Sequence, residues 1–176
     1  PDLFNLLCIP PDDFTVSPSL TVYDNAAAFC TDRRAMLIVD SPDGWNATAG
    51  FATLKGDPRG ERNKVVSPSK NAALFFPRVV QTDPGDGLEY TFSPCGIIAG
   101  IFANTDGTRG VWKAPAGQEA TIRGIRRLAV KLTDPENGLL NPVGINCLRS
   151  FAASGNVVWG SRTLKGDDQL ADEYKY

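Results

Sequence analysis

A chain of 176 residues with 42% hydrophobic and 22% charged residues has the makeup of a single ordinary globular domain, large enough to bury a core without staples. A net charge of -2 gives no electrostatic basis for nucleic-acid binding, and no apolar run approaches the roughly 20 residues of a membrane-spanning helix. There is no histidine. That removes Ser-His-Asp and Cys-His catalysis, HExxH metalloprotease chemistry and histidine general bases together, leaving an enzyme only carboxylates, lysine or a cofactor.

Residues 3–9 (LFNLLCI) are a short apolar run bounded by Pro10-Pro11, which predicts a buried strand. Ser17-Pro18 has the form of an N-cap followed by proline at the first helical position. The helix it opens carries Leu20, Tyr23, Ala27 and Cys30 at helical spacing and ends at Arg33-Arg34, where cations suit the helix dipole. Residues 35–40 (AMLIVD) are a second apolar strand, so the start reads as a βαβ unit and implies a parallel sheet with helices on its faces. Residues 41–70 are polar and turn-rich, with a short helix inside 46–54 and a solvated loop over 55–70. A third strand covers 72–80, and TDPGDG at 82–87 is a loop.

Ser93-Pro94 repeats the capping pattern. Its helix shows Ile97, Ile98, Ile101 and Phe102 on one side, places Gly96 and Gly100 where a neighbour can approach closely, and ends over 104–110. Residues 122–132 read as a strand with Arg123, Arg126, Arg127 and Lys131 outside. Asn137-Gly138 and Asn141-Pro142 mark turns, and strands at 144–148 and 157–164 flank a Ser-Gly-Asn turn. About five or six strands and two or three helices make a layered α/β domain over 1–176, with a mostly parallel sheet flanked by helices. The polar tail GDDQLADEYKY reads as a connection to a further segment.

No pattern along the chain assembles a catalytic, cofactor or metal site. Cys8, Cys30, Cys95 and Cys147 are far apart, without a CxxC pair, and read as buried reduced thiols rather than metal ligands. Ser67-Pro68-Ser69-Lys70 matches SxxK but lacks the companion elements of that chemistry. Asp83, Asp86, Glu89 and Asp106 lie in glycine-rich turns without a calcium-loop frame. The Asn46-Ala47-Thr48 sequon reads as a coincidence. Gly96, Gly100, Gly107 and Gly110 spell neither a dinucleotide fingerprint nor a phosphate loop. The basic stretch at Arg123–Lys131 is either a face meeting an acidic surface on another subunit or a solvated edge strand. Trp112 and Trp159, each beside glycine, are either core anchors or interface anchors with Lys113 or Arg162 nearby. Two other functional classes stay open on the residues alone. One is a small-molecule or nucleotide-binding α/β module with its site at strand C-terminal ends near 96–110. The other is a hydrolase using Asp83, Asp86 or Asp106.

The run from Ser93 to Gly117 resembles contractile tail sheath proteins of phage tails and phage-tail-like injection systems. The likeness lies in Pro94, Ala99-Gly100, Thr105-Asp106, Gly110-Val111-Trp112-Lys113 and Ala114-Pro115-Ala116. Residues 72–77 (AALFFP), Asn141-Pro142 with Gly144-Ile145-Asn146, and Val158-Trp159-Gly160-Ser161-Arg162-Thr163-Leu164 extend it in order over about half the chain. The resemblance implies a subtilisin-like α/β domain without catalytic residues, a structural role and no cofactor. Its partners would be other sheath subunits, as a helical homo-polymer or with paralogous sheath chains, together with an inner tail tube protein, a baseplate and a tail terminator. Nucleic acid and membrane insertion are not implied. Assembly would occur in the bacterial cytoplasm and action in a virion tail or tail-like particle, where a two-state change in subunit contacts contracts the sheath and drives the tube through a target envelope. Sheath subunits usually also carry an N-terminal linking arm and a C-terminal helical and strand-exchange segment, so the chain reads as a fragment lacking both. The residues assigned to the assembly interface are Arg109, Trp112, Lys113, Arg126, Arg127 and Arg162.

Overall fold

The computed structural model describes residues 4–13, 15–169 and 173. Strand β1 (Leu6–Cys8) leads to helix α1 (Leu20–Arg33) and strand β2 (Met36–Asp40), the expected βαβ start. Ser19 rather than Ser17 caps α1, its hydroxyl accepting from the Val22 N–H. Ser17 instead accepts from the Asp43 N–H and from Arg78 Nη2. A 3-10 turn (Asp43–Asn46) and helices α2 (Thr48–Gly56) and α3 (Pro58–Val65) follow. The solvated loop expected over 55–70 is therefore mostly helix. The Asp57 carboxylate accepts from the Gly60 N–H at 3.0 Å, and Pro58 sits in the first turn, where its missing N–H costs nothing. In KGDPRG, Asp-Pro is a helix start rather than a turn.

The apolar run 72–80 is two strands in two sheets. Strand β3 (Ala72–Phe76) lies in the main sheet, while β4 (Val79–Thr82) pairs antiparallel with β5 (Glu89–Phe92) and β6 (Arg127–Leu128). Pro77 stands between them and has no N–H to continue a ladder. Of the strand expected over 122–132, only Arg127–Leu128 pairs. Helix α4 (Cys95–Arg109) runs through the stretch that reads as its end. Thr105 faces the core, the Thr108 hydroxyl donates back to the Asn104 carbonyl, and Gly110 at φ 93 receives the helix end. Helix α5 (Asp134–Leu140) contains the Asn137-Gly138 pair read as a turn. The Glu136 carboxylate accepts from the Thr133 N–H at 2.9 Å and the Thr133 hydroxyl at 2.8 Å, a capping box strong enough to carry the helix through glycine. Strands β7 (Ile145–Phe151) and β8 (Gly155–Val158) form an antiparallel hairpin; of the strand expected over 157–164 only Val157 and Val158 pair, and Gly155 and Asn156, read as turn, already belong to β8.

The main sheet has five strands in the order β1-β2-β3-β7-β8, parallel except for β8. Side-chain alternation sends Leu37, Val39, Ala72, Leu74, Phe76, Ile145 and Cys147 to one face, against Tyr23 and Cys30 of α1, Leu54 of α2, Val65 of α3 and Leu140 of α5. Ile38, Ala73, Phe75 and Leu148 point to the other face, against Ile98 and Ile101 of α4 and the Ala120 and Ile122 loop. Burial on both faces explains the continuously apolar strands. An added Cβ at Gly96 or Gly100 would meet nothing within 4 Å, so neither glycine serves a close packing contact in this chain. Among the described residues no helix is long and apolar enough to cross a membrane. The tail reading falls largely on residues 170–172 and 174–176, outside the described residues.

Two arginines are buried to 1% exposure or less, Arg62 and Arg78. Arg62 donates through Nη1 to the Val143 carbonyl, lies 3.5 Å from Asp167 Oδ2, and gives Nε and Nη2 to Asn63 Oδ1 at 3.2 and 2.7 Å. Asp167, 1% exposed, also takes a two-pronged contact from Arg59. That contact, with help from Arg62, holds the Asp167 carboxyl below the usual carboxylate range. Its stabilisation is thus present above about pH 4, the unfolded value, and is lost as pH falls through the lower native value. Asp167→Asn is expected to destabilise the fold by about 3 kcal/mol, because it strands the Arg62 charge, and to flatten the acid limb of the stability profile. Urea unfolding of both proteins from pH 3 to 7 measures both effects.

Candidate assembly surface

Among the described residues, the most exposed large apolar side chains are neighbours. Val111 is 79% and Trp112 85% exposed, directly after α4. They are displayed by a fixed loop. Gly110, at φ 93, turns the chain out of α4, and the Trp112 ring lies against it so closely that an added Cβ would sit 2.4 Å from a ring carbon. The Lys113 N–H donates to the Gly110 carbonyl at 3.1 Å, and its ammonium donates to the carbonyls of Ala114 and Ala116 at 2.9 and 3.2 Å. Lysine thus spends its donors on its own loop, which keeps the tryptophan projecting. Exposed tryptophan on an ordered loop is unfavourable in water and favourable as an anchor in a partner's surface.

This loop walls a groove of about 630 Å³. Its floor is the second face of the main sheet near the start of the parallel strands, with Met36, Ala73 and Phe75; Phe102 and Asp106 of α4 form one side. Arg162 and Lys70 stand on the rim. Asp106 therefore lies on a groove wall, not in a turn.

The six sequence-assigned residues fall into separate places. Trp112, Lys113 and Arg162 border the groove. Arg162 turns inward, with Nε donating to Asn141 Oδ1 at 2.9 Å and Nη1 to the Gly166 carbonyl at 2.7 Å and Asp168 Oδ1 at 2.8 Å. Arg109, at the end of α4, pairs with Glu119 in a solvent-exposed contact. Arg126 and Arg127 lie on the small sheet, where Glu89 sits 2.7 and 3.4 Å from them. The basic stretch thus meets its first acidic group within its own chain, and exposed pairs of this kind stabilise little. Trp159 is half-buried against Phe151, with ring centroids 4.8 Å apart.

The residues considered for other chemistry have structural partners. Asp83 accepts from the Gly85 N–H at 2.7 Å, and Asp86 from the Leu88 N–H at 2.8 Å and the Tyr90 hydroxyl at 2.6 Å, so both brace one turn. The Tyr90 hydrogen bond holds Asp86 below the ordinary carboxylate range, which makes it a weak base. Ser67 gives its N–H and hydroxyl to Asp24 at 2.8 and 2.9 Å. The start of α4, where a nucleotide phosphate would sit in the ligand-module reading, is filled by the protein's own carboxylate. The Cys95 N–H donates to Asp40 Oδ1 at 2.9 Å. Asp40, Arg62 and Arg78 were not singled out from the sequence. Asp40 closes an ordinary apolar strand, Arg62 sits in a polar stretch that looks solvated, and Arg78 is a lone charge inside the apolar run 72–80.

The family model for the phage tail sheath protein central domain matches residues 4–164. The tail sheath protein of Vibrio phage KVP40 is 41% identical over 69 residues, which is 39% of this chain and 10% of that protein. The helical sheath of the anti-feeding prophage in its contracted state superposes with a TM-score of 0.70 and 31% identity, over 99% of this chain and 42% of that one. The sheath complex of the extracellular contractile injection system PVC, also contracted, gives 0.60 and 27% over 80% and 35%. The chain thus spans a tenth of the curated relative and about two fifths of the sheath chains it matches.

Trp112→Ala should leave stability within about 0.5 kcal/mol, because the ring is exposed. Gly110→Ala should cost about 1 to 2 kcal/mol, because alanine at this φ is strained and meets the ring. Thermal unfolding of the two variants separates display from structure.

Proposed function

The chain belongs to the phage tail sheath family, and from that premise we propose that it is the central domain of a contractile sheath subunit. The observation that carries this reading is the match of nearly the whole domain to a subunit of a contracted helical sheath. In this reading the domain is a subtilisin-like α/β layer that has no protease machinery, and its role is structural rather than enzymatic. The whole subunit would add linking segments before and after it. Subunits would pack through a heterologous contact, in which one patch meets a different patch on the next copy, because only such a contact generates an open helical array.

The Trp112 loop supplies one half of such a contact: a rigid, apolar anchor beside a groove. The exposed Arg109, Arg126 and Arg127 supply charge that orients the approach of the next copy. Lys113 keeps the anchor rigid and Arg162 holds the opposite rim. The polymer would surround an inner tail tube and end on a baseplate and a tail terminator, with assembly in the bacterial cytoplasm. Contraction would release free energy stored in subunit contacts, with two discrete packings of the same rigid domain. A domain buried on both sheet faces suits that role, since it moves as one body.

Electron microscopy of the complete subunit expressed with its tube partner tests the proposal. Hollow tubes with a helical repeat are expected. Trp112→Ala, which removes about 2 kcal/mol from an interface anchor, should raise the subunit concentration needed for tubes about 30-fold without unfolding the domain. Arg126→Glu with Arg127→Glu should also impair tubes. Monodisperse globular particles at every salt and subunit concentration would overturn the sheath reading.

A further inference from the structure

Cys8 and Cys95 lie far apart in sequence and side by side in space. Cys8 ends β1 and Cys95 begins α4, and the Cys8 thiol donates to the Cys95 carbonyl at 3.4 Å. Cys8 is only partly buried, whereas Cys95 is 3% exposed. The other cysteines belong elsewhere: Cys30 and Cys147 are buried in the core on the opposite face of the sheet. The Asp40 carboxylate lies against Cys95. Its Oδ1 accepts the Cys95 N–H, and its Oδ2 is buried without a hydrogen-bond donor.

We propose that Cys8 and Cys95 are a thiol–disulfide site, in which Cys8 is the entry thiol, Cys95 the resolving thiol and Asp40 the base, and that the oxidant is a low-molecular-weight disulfide. The environments divide the labour. The neighbouring Cys95 side chain holds the Cys8 thiol below its ordinary range, against the opposing effects of burial and of Asp40. The Cys8 side chain, burial and the Asp40 charge push Cys95 up, so it stays protonated until a partner is in place. Burial pushes Asp40 up to about 6, against the hydrogen bond from Cys95 and the charge of Arg78, which leaves an ionised carboxylate beside Cys95 that takes its proton as the Cys8–Cys95 bond forms, not before.

The chemistry balances with the disulfide RSSR as the two-electron oxidant. The Cys8 thiolate attacks one sulfur of RSSR, forming a Cys8–SR bond and releasing RS⁻. The Cys95 S–H gives its proton to Asp40, and the Cys95 sulfur attacks the Cys8 sulfur, forming the Cys8–Cys95 bond and releasing a second RS⁻. The two protons lost by the cysteines end on the two RS⁻ groups. Two protein thiols are oxidised and one RSSR becomes two RSH. The new bond ties the first strand to the start of α4, across an edge that otherwise rests on side-chain packing and one carboxylate. This proposal stands apart from the sheath reading and does not depend on it.

The test uses the 176-residue chain in excess glutathione disulfide at pH 7.5. The expected product is about two mass units lighter and yields a linked Cys8–Cys95 peptide on digestion without reductant. Its unfolding temperature should exceed that of the reduced protein by a few degrees, because the bond restricts the unfolded chain. A Cys30→Ala, Cys147→Ala variant should give the same product. Cys8→Ser should leave Cys95 unmodified in the folded protein. Asp40→Asn should slow the closing step about a hundredfold and accumulate the Cys8–glutathione adduct. The wild-type experiment decides alone if a variant fails to fold. A stable Cys8–glutathione adduct in the wild-type chain, a linked peptide pairing other cysteines, or no modification would each overturn the proposal.

Discussion

A guanidinium with no exposed surface must find acceptors inside the protein, and Arg78 finds them where the chain leaves the main sheet. Its Nε donates to the Ser41 carbonyl at 2.9 Å and its Nη2 to the Ser17 hydroxyl at 3.0 Å, while the backbone N–H of the same residue, outside the guanidinium, donates to Asn46 Oδ1 at 3.1 Å. Asp43 stands 3.7 Å from Nη1. These partners come from the end of β2, the approach to α1 and the 3-10 turn, so one buried charge gathers segments that share no ladder. Removing any acceptor leaves part of that charge unsatisfied, at a cost larger than an ordinary hydrogen bond returns. The geometry has a topological effect. With the chain pinned just after Pro77, β4 enters the small sheet, and α4 can then cover the second face of the main sheet. Arg62 repeats the device between segments distant in sequence, joining α3 to Val143 and to Asp167.

The groove follows from the same layout. Beside the C-terminal end of α4, the loop after it borders a trough floored by Met36 and the buried Ala73 and Phe75. A free-standing globule gains nothing from a tryptophan held out on a self-bonded loop beside such a trough. A subunit whose free energy is released in contacts with its neighbours does. The two buried arginine centres suit that use, because an interface that changes between two packings needs a body that does not deform.

Much of the fold is legible in the residues. Apolar runs bounded by proline mark β1 and β2, the hairpin β7–β8 surrounds its turn, and the start of α4 lies within two residues of its Ser-Pro signal. The misread segments share one cause, a short signal with two local meanings. Asp57-Pro58 reads as a turn and caps α3. Asn137-Gly138 reads as a turn and lies within α5, because the capping box before it outweighs the glycine. The run 72–80 reads as one strand because its side chains are uniformly apolar, and only Pro77 hints that its halves join different sheets. In the candidate surface, Trp112 was visible as a residue of interest, but core anchor and interface anchor are the same letters. Arg162 reads as an interface residue near Trp159, and its sequence gives no sign that its guanidinium also clamps Asn141, Gly166 and Asp168 together.

The sequence by itself determined the class of the domain, the parallel βαβ beginning, the absence of histidine chemistry and the family motifs from Ser93 onward. These are local or compositional properties, carried by hydrophobic periodicity and by short ordered strings. Only the tertiary structure decided that Trp112 faces solvent, that Arg62 and Arg78 are buried, that Asp40 caps α4 and that Cys8 meets Cys95. The last three depend on contacts between segments distant in the chain, and the first on no such segment covering the ring. Burial and proximity are properties of how elements pack, and a residue's own letter carries no record of what the rest of the chain folds against it.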